Sequence, residues 1–469
     1  MPPAQGRAWT VAPSLVAGAA ILAGLVYLRD GGLGALRRLP VERPAAPPGP
    51  PLAALGAAAP AAAEPPPPLP PRRDLAPVGV AGGAPVSIPG RTVEDPCVAP
   101  TAAGCARWAL DGFYQALAAT ERAQATRPVR IAWFGDSVSA TDAIPGRVRA
   151  RLQDLFGDGG PGFVHAASPH RFNHNLAVAR AGTGSWRSWA VSLANVGDHL
   201  YGYGAATTEG AGTIALTPTT PAAAVSAVEV YYLAQPGGGQ AELAIDGTLH
   251  TTLDTAAPAK EARFAAVEVP DGHHRVELRA SGRVRLFGLV LERARGVVVD
   301  NLAVVSATAK SLLLNDAVAW QAQLAHRRPT LVVVMLGTNE AQWLSGSARS
   351  MADYEDVWRR LLAPVRAGVP DGACLVVAPL DQAEVRDGAL VPRKGLPAMV
   401  ATQRKVATAM GCGFWDTFTW MGGSGAGLRW NRKGLLGSDF AHLSHKGSAL
   451  VADELADALV AGYKAYKAR

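Results

Sequence analysis

Mostly apolar runs of five to nine residues alternate with amphipathic stretches along most of this chain, and one long stretch breaks the alternation. The apolar runs fall at 129–134, 297–305, 331–336, 374–379 and 414–418. Helical spacing marks 106–125, 144–156, 310–326, 352–367, 396–410 and 448–466, with Pro145 tolerated in a first turn. Strands with no polar face must be covered on both sides. The pattern therefore predicts an α/β domain built on a parallel sheet between two helical layers. Active sites in such sheets lie beyond the carboxyl ends of the strands.

The interruption runs from 157 to 296. Helical periodicity is scarce there, and short alternating runs take over at 227–233, 241–245, 265–269, 275–279 and 284–292. Turn signals such as Gly237-Gly238-Gly239, Asp246-Gly247 and Asp271-Gly272 separate them. This predicts an antiparallel β-sandwich insert, dividing the α/β domain into 95–156 and 297–469.

The first 94 residues have a different character. Residues 11–28 are uncharged and almost wholly apolar, flanked by Arg7 and Arg29, near the short limit for a membrane-spanning helix. Tyr27-Leu28-Arg29-Asp30 is a poor cleavage site, which favours an uncleaved anchor over a secretory signal and assigns 1–38 to a signal-anchor segment. Residues 39–94 are dominated by Ala and Pro, including Pro65 to Pro68, and read as an extended spacer. Both readings of the leader put the rest of the chain outside the cytoplasm: anchored with its catalytic part in the periplasm, or secreted if the leader is cut.

The 469 residues carry 45 Lys and Arg against 38 Asp and Glu, a net charge of +7. No dense basic run with interleaved aromatics occurs, which argues against nucleic acid as a partner. Of the four cysteines, Cys97 and Cys105 can close a small loop in an oxidising compartment. Cys374 and Cys412 fit a bridge or two buried thiols equally.

Three polar blocks follow in order. Gly135-Asp136-Ser137 ends the first apolar run, Gly337-Thr338-Asn339-Glu340 ends a later one, and Asp439-Phe440-Ala441-His442 precedes the last helix. Ser137 at a strand end and helix entry can be a nucleophile, or simply an N-cap. Asn339 can donate to an oxyanion or end a turn. Asp439 and His442, three apart, share a face if the turn is helical, so that Asp439 orients the imidazole that deprotonates Ser137. His445 is a rival base. Within the insert Trp186, Trp189, Tyr201 and Tyr203 invite a sugar-stacking reading, although aromatics in a sandwich are more often core. His165, His170 and His174 lack supporting ligands and read as turn or surface residues. No metal site or cofactor is expected.

The ordered set resembles the SGNH/GDSL hydrolases: Gly-Asp-Ser, then Gly-x-Asn-Glu, then Asp-x-x-His-Leu-Ser near the C-terminus. The resemblance implies a flavodoxin-like sheet, a Ser137, Asp439, His442 triad, and an oxyanion hole from the Ser137 amide, Asn339 and a glycine in a second block. That second block here is Asp300-Asn301-Leu302-Ala303-Val304-Val305-Ser306-Ala307, with Ser306 in the glycine's place. A serine amide serves only where its backbone conformation is allowed. The insert, entered through Gly157-Asp158-Gly159-Gly160-Pro161-Gly162-Phe163, is similar to the carbohydrate-binding-like module of periplasmic peptidoglycan O-acetylesterases. The expectation is a serine esterase acting on an acetylated envelope polysaccharide. Two alternatives stay open: an O-acetyltransferase with the same triad, and a non-catalytic glycan-binding protein with a vestigial hydrolase domain.

Overall fold

The computed structural model describes residues 92–469, apart from 103 and 222. The proposed anchor at 11–28 and nearly all of the Ala/Pro spacer lie outside the described residues. Among the described residues no helix is long and apolar enough to cross a membrane.

A hairpin of β1 (Cys97–Thr101) and β2 (Gly104–Trp108) opens the described chain, followed by α1 (Asp111–Glu121), β3 (Val129–Gly135), α2 (Ser137–Ala140) and α3 (Pro145–Phe156). The antiparallel module contributes β4 (Gly162–Val164), β5 (Val178–Gly184), β6 (Arg187–Ala190), β7 (Ala206–Pro218), β8 (Val225–Ala234), β9 (Gln240–Ile245), β10 (Thr248–Asp254), β11 (Glu261–Gly272) and β12 (Val276–Glu292). Then come β13 (Val297–Asn301), α4 (Ala309–Leu312), α5 (Ala317–Arg327), β14 (Leu331–Met335), α6 (Ala348–Gly368) and β15 (Ala373–Val377). A short hairpin of β16 (Ala383–Arg386) and β17 (Ala389–Pro392) precedes α7 (Leu396–Ala409), β18 (Gly413–Trp415), α8 (Thr417–Met421), α9 (Ala426–Arg432) and α10 (His445–Lys467).

The parallel sheet has the order β13-β3-β14-β15-β18, all neighbours parallel. Numbered within the sheet this is 2-1-3-4-5, the flavodoxin-like arrangement, whose switch point lies between β3 and β14. Alternate residues serve opposite faces. Ile131 and Trp133 of β3 pack with Leu117, Val148 and Leu455 from α1, α3 and α10, whereas Ala132 and Phe134 pack with Trp320, Trp358 and Val406 from α5, α6 and α7. Both layers are thus filled, as strands buried on both faces require.

The module is antiparallel and forms one hydrogen-bonded network. The long β12 pairs with β7 and β9 through its first half and with β8 and β4 through its second, with register breaks after Ala280 and Leu286. Strands that change partners at bulges turn the corner between two layers. Leu216, Val230, Leu243, Leu278 and Leu289 fill the space they enclose. A second contact seals the module to the hydrolase part. Phe163 and Tyr203 lie edge-on at 5.2 Å, and Phe134 and Trp320 likewise at 5.2 Å, in one continuous core.

A buried ionic knot crosses the same seam. Arg327 Nε and Nη2 donate to Asp300 Oδ2 and Oδ1 at 2.8 and 2.9 Å, and Arg327 Nη1 donates to Glu292 Oε2 at 2.7 Å. Asp300 also accepts from the Phe163 amide and the Tyr203 hydroxyl, both at 2.8 Å. Both oxygens of the buried Asp300 thus accept two hydrogen bonds each, the condition under which a buried charge is tolerated.

Several expected boundaries shift. The first turn of the expected 106–125 helix is strand, because Cys97 and Cys105 form a disulfide across the β1–β2 hairpin and Asp111 accepts the Trp108 N–H at 2.7 Å. The expected 310–326 helix breaks in two where Asp316 caps α5 by accepting from the Ala319 N–H. The strand at 297–305 ends at Asn301, and the runs at 275–279 and 284–292 join into β12. Cys374 and Cys412 are bridged, on neighbouring positions of β15 and the entry to β18.

Candidate active site

Gly135 closes β3, and a Cβ there would stand 2.9 Å from Ser139 Oγ. The chain therefore turns tightly into α2. Asp136 is the N-cap: its Oδ1 accepts the Val138 N–H at 3.0 Å. Ser137 takes the first helical position rather than the cap, which leaves its hydroxyl free. Ser137 Oγ lies 2.7 Å from His442 Nε2, and His442 Nδ1 lies 2.7 Å from Asp439 Oδ2. These side chains are 305 and 3 residues apart in sequence, so the fold brings the proposed triad together.

The Asp439 block is a turn, not a helix as the spacing suggested. Phe440 sits at φ 56°, and Asp439 Oδ1 accepts the amides of Ala441 and His442, each at 3.0 Å. Burial pushes the Asp439 carboxyl up, but the imidazole and those two amides outweigh it and hold it well below the usual range. The same bond from Asp439, against partial burial, raises the His442 imidazole above its ordinary value. His442 remains 45% exposed, so the base is open to substrate. His445, the rival, begins α10 and lines a separate 620 Å³ cleft beside α3 and the module.

Three oxyanion donors are implied by the resemblance: the Ser137 and Ser306 amides and Asn339. Val304 N–H bonds the Gly135 carbonyl at 3.0 Å, which carries the second block alongside β3. Ser306 follows in a turn at φ 62°, the left-handed region that glycine occupies without cost. Serine thus adopts the glycine conformation here. Among the described residues neither the Ser137 nor the Ser306 amide N–H meets a protein acceptor. Asn339 Nδ2 donates to the Ala307 carbonyl at 2.8 Å, which fixes the carboxamide and leaves its second N–H for a ligand. The next residue, Glu340, accepts the Ala309 N–H at 2.8 Å, so the Gly337–Glu340 block grips the chain on both sides of Thr308.

Two carboxyls lie beneath this surface. Burial pushes Asp136 up to about 6, despite Val138, Thr338 and the attraction of His442. Burial, with the nearby Asp136 charge adding to it, pushes Glu340 up to about 7 against the Ala309 amide.

The sequence reading missed several supports. Ser192 Oγ of the module donates to the Val305 carbonyl at 2.6 Å. Asp142 accepts from Arg149 at 2.7 Å, from Leu176 N–H at 2.8 Å and from Asn301 at 3.1 Å. Neither residue belongs to a recognisable pattern. Of the insert's aromatics, Tyr201 and Tyr203 are fully buried core, while Trp186 and Trp189 are half-buried. His165 is buried with Nε2 on the Gly204 carbonyl, and His174 is exposed. Among the described residues no cluster of His, Cys, Asp or Glu is arranged to hold a metal.

Residues 276–450 match the GDSL-like Lipase/Acylhydrolase family. This part of the chain is similar to the GDSL-like acylhydrolases, and the fold is of the SGNH type. Its activity class is that of a carboxylic ester hydrolase. A solved peptidoglycan O-acetylesterase, 24% identical, superposes with a TM-score of 0.65 over 76% of this chain and 96% of its own. Coverage of that size takes in the β-module as well as the SGNH domain, and it establishes the fold of both. A family two carbohydrate esterase from Cellvibrio japonicus is 13% identical over 65% of this chain and 98% of its own, with a TM-score of 0.25. An acetyl xylan esterase is 17% identical over 34% of this chain and 79% of its own, with a TM-score of 0.26. These two superpose too loosely to bear on the site. No curated protein matches this chain in sequence.

Proposed function

We propose that this SGNH hydrolase removes O-acetyl groups from a cell-envelope glycan, peptidoglycan foremost, through an acetyl-enzyme. The observation that carries the reading is the unbroken chain from Ser137 Oγ through His442 to Asp439, each link 2.7 Å. Ser137 attacks the acetyl carbonyl while His442 Nε2 takes its proton. Asp439 stabilises the imidazolium. The oxyanion is received by the amides of Ser137 and Ser306 and by Asn339 Nδ2. Collapse expels the sugar oxygen, which takes the proton from His442. Water, deprotonated by the same imidazole, then releases acetate and restores Ser137. A complete hydrogen-bonded triad argues against a vestigial domain.

The choice of peptidoglycan rests on the shared two-part architecture with the solved O-acetylesterase. Two disulfides accord with an oxidising compartment, and with the 11–28 segment they support a catalytic part held in the periplasm or secreted. The test is acetate release from O-acetylated peptidoglycan and from acetylated xylan, with and without an acceptor oligosaccharide. Faster release from peptidoglycan is expected. Preference for xylan, or acetyl transfer to the acceptor in place of release, would overturn the assignment.

A further inference from the structure

Scattered exposed apolar side chains are ordinary on a protein surface, but concentrated ones are not. Of the eleven large apolar side chains exposed among the described residues, five stand on segments bonded to the catalytic blocks. Trp343 is 62% exposed, although Trp133, Trp320, Trp358 and Trp415 are all fully buried. It lies four residues after Asn339, in a helical turn closed by Ala341 N–H to Gly337 and Leu344 N–H to Glu340 at 2.9 and 3.0 Å. Residues 340–342 form a 3-10 turn, so Trp343 stands about one turn along the chain from the Asn339 carboxamide.

Phe172 is 48% exposed, with the Arg171 guanidinium 4.7 Å from its ring centroid on one side, in a module loop stitched to the nucleophile helix and to the turn at Ala303. The stitches are Asn173 Nδ2 to the Ala303 carbonyl at 2.7 Å and His174 N–H to the Ala140 carbonyl at 2.9 Å. Leu193 follows Ser192, which holds Val305. Val385 and Leu390 oppose each other on one rung of the β16–β17 hairpin. The hairpin's base is bonded to Phe440 through the Ala383 N–H and to Thr338 through Gln382.

We infer that these side chains form a stacking rim for the glycan chain, with Trp343 and Phe172 as platforms for sugar rings on either side of the scissile ester. The inference deepens the proposed esterase reading and rests on it. An ester positioned at Ser137 brings its own sugar over this surface, and the C–H faces of pyranose rings pair with exposed aromatic faces. The site is open, with the base 45% exposed, which suits a polymer laid across it. The indole of Trp343 stacks on no other ring or cation among the described residues, so its faces are available.

The test compares O-acetylated peptidoglycan oligosaccharide with 4-nitrophenyl acetate in Trp343→Ala, Phe172→Ala and the double variant. Expected is a fall of about tenfold in the ratio of oligosaccharide to small-ester kcat/KM for Trp343→Ala, carried by KM, and a larger fall in the double variant. Val318→Ala, an exposed apolar side chain on α5, is expected to leave the ratio where it is. If the wild type cleaves the oligosaccharide and the ratio stays put in both variants, or both substrates decline in parallel, the rim is wrong and the esterase reading stands. If the wild type cleaves only the small ester, the glycan reading fails and the rim fails with it.

Discussion

Ser192 of the β-module donates to the carbonyl of Val305 at 2.6 Å, in the same peptide group as the Ser306 N–H. The module therefore contributes to the geometry of the turn proposed to bind the oxyanion. Ser192→Ala removes one neutral hydrogen bond, worth about 1 kcal/mol. A roughly fivefold fall in kcat on 4-nitrophenyl acetate is expected, with KM changed less.

His442 must be neutral to accept the Ser137 proton, and Asp439 raises its pKa above the ordinary 6.5. Turnover is accordingly expected to rise with pH along an acid limb centred above 6.5. In Asp439→Asn the limb moves to lower pH and kcat drops on the order of 10³-fold or more, as loss of an orienting carboxylate does in serine proteases. A pH–rate profile of both proteins checks this.

Ser306 occupies a left-handed conformation at φ 62° that costs a non-glycine residue about 1 kcal/mol. Ser306→Gly relieves that strain but loosens the unfolded chain, so a stability gain below about 1 kcal/mol is expected, with esterase activity retained. Ser306→Val, β-branched and averse to this region, is expected to lose on the order of 10²-fold in kcat. Thermal melts and steady-state kinetics report the two effects.

Glu340 is buried, with its carboxyl raised from 4.5 to about 7. A raised folded-state pKa favours folding fully below the unfolded value, and this contribution is lost as pH climbs through the folded one. Glu340→Gln keeps an acceptor for the Ala309 N–H and abolishes the titration. The variant is expected to melt above the wild type at pH 8, by about 1–3 kcal/mol in unfolding free energy, with the gap narrowing towards pH 5.

The parallel sheet was legible because β3, β14 and β15 are buried on both faces and so read as apolar runs, broken only by Arg130 in β3. The weak elements were those set by contacts distant in sequence. Strand β5, with exposed Ala and Gly positions, has no apolar alternation to detect. The early turn lost from α1 depends on a disulfide, and the break before α5 depends on one Asp cap. The triad was readable from spacing and order, although its Asp and His meet in a turn rather than on a helix. Ser192 and Asp142 act through single hydrogen bonds to backbone or side-chain groups far along the chain, and no local pattern marks them.

The most direct test is acetate release from an activated acetyl ester by Ser137→Ala, with circular dichroism confirming that the variant is folded. A loss on the order of 10⁴-fold or more is expected, because among the described residues no other hydroxyl lies on His442 Nε2. Turnover by the folded variant at the wild-type rate would contradict nucleophilic catalysis at this residue.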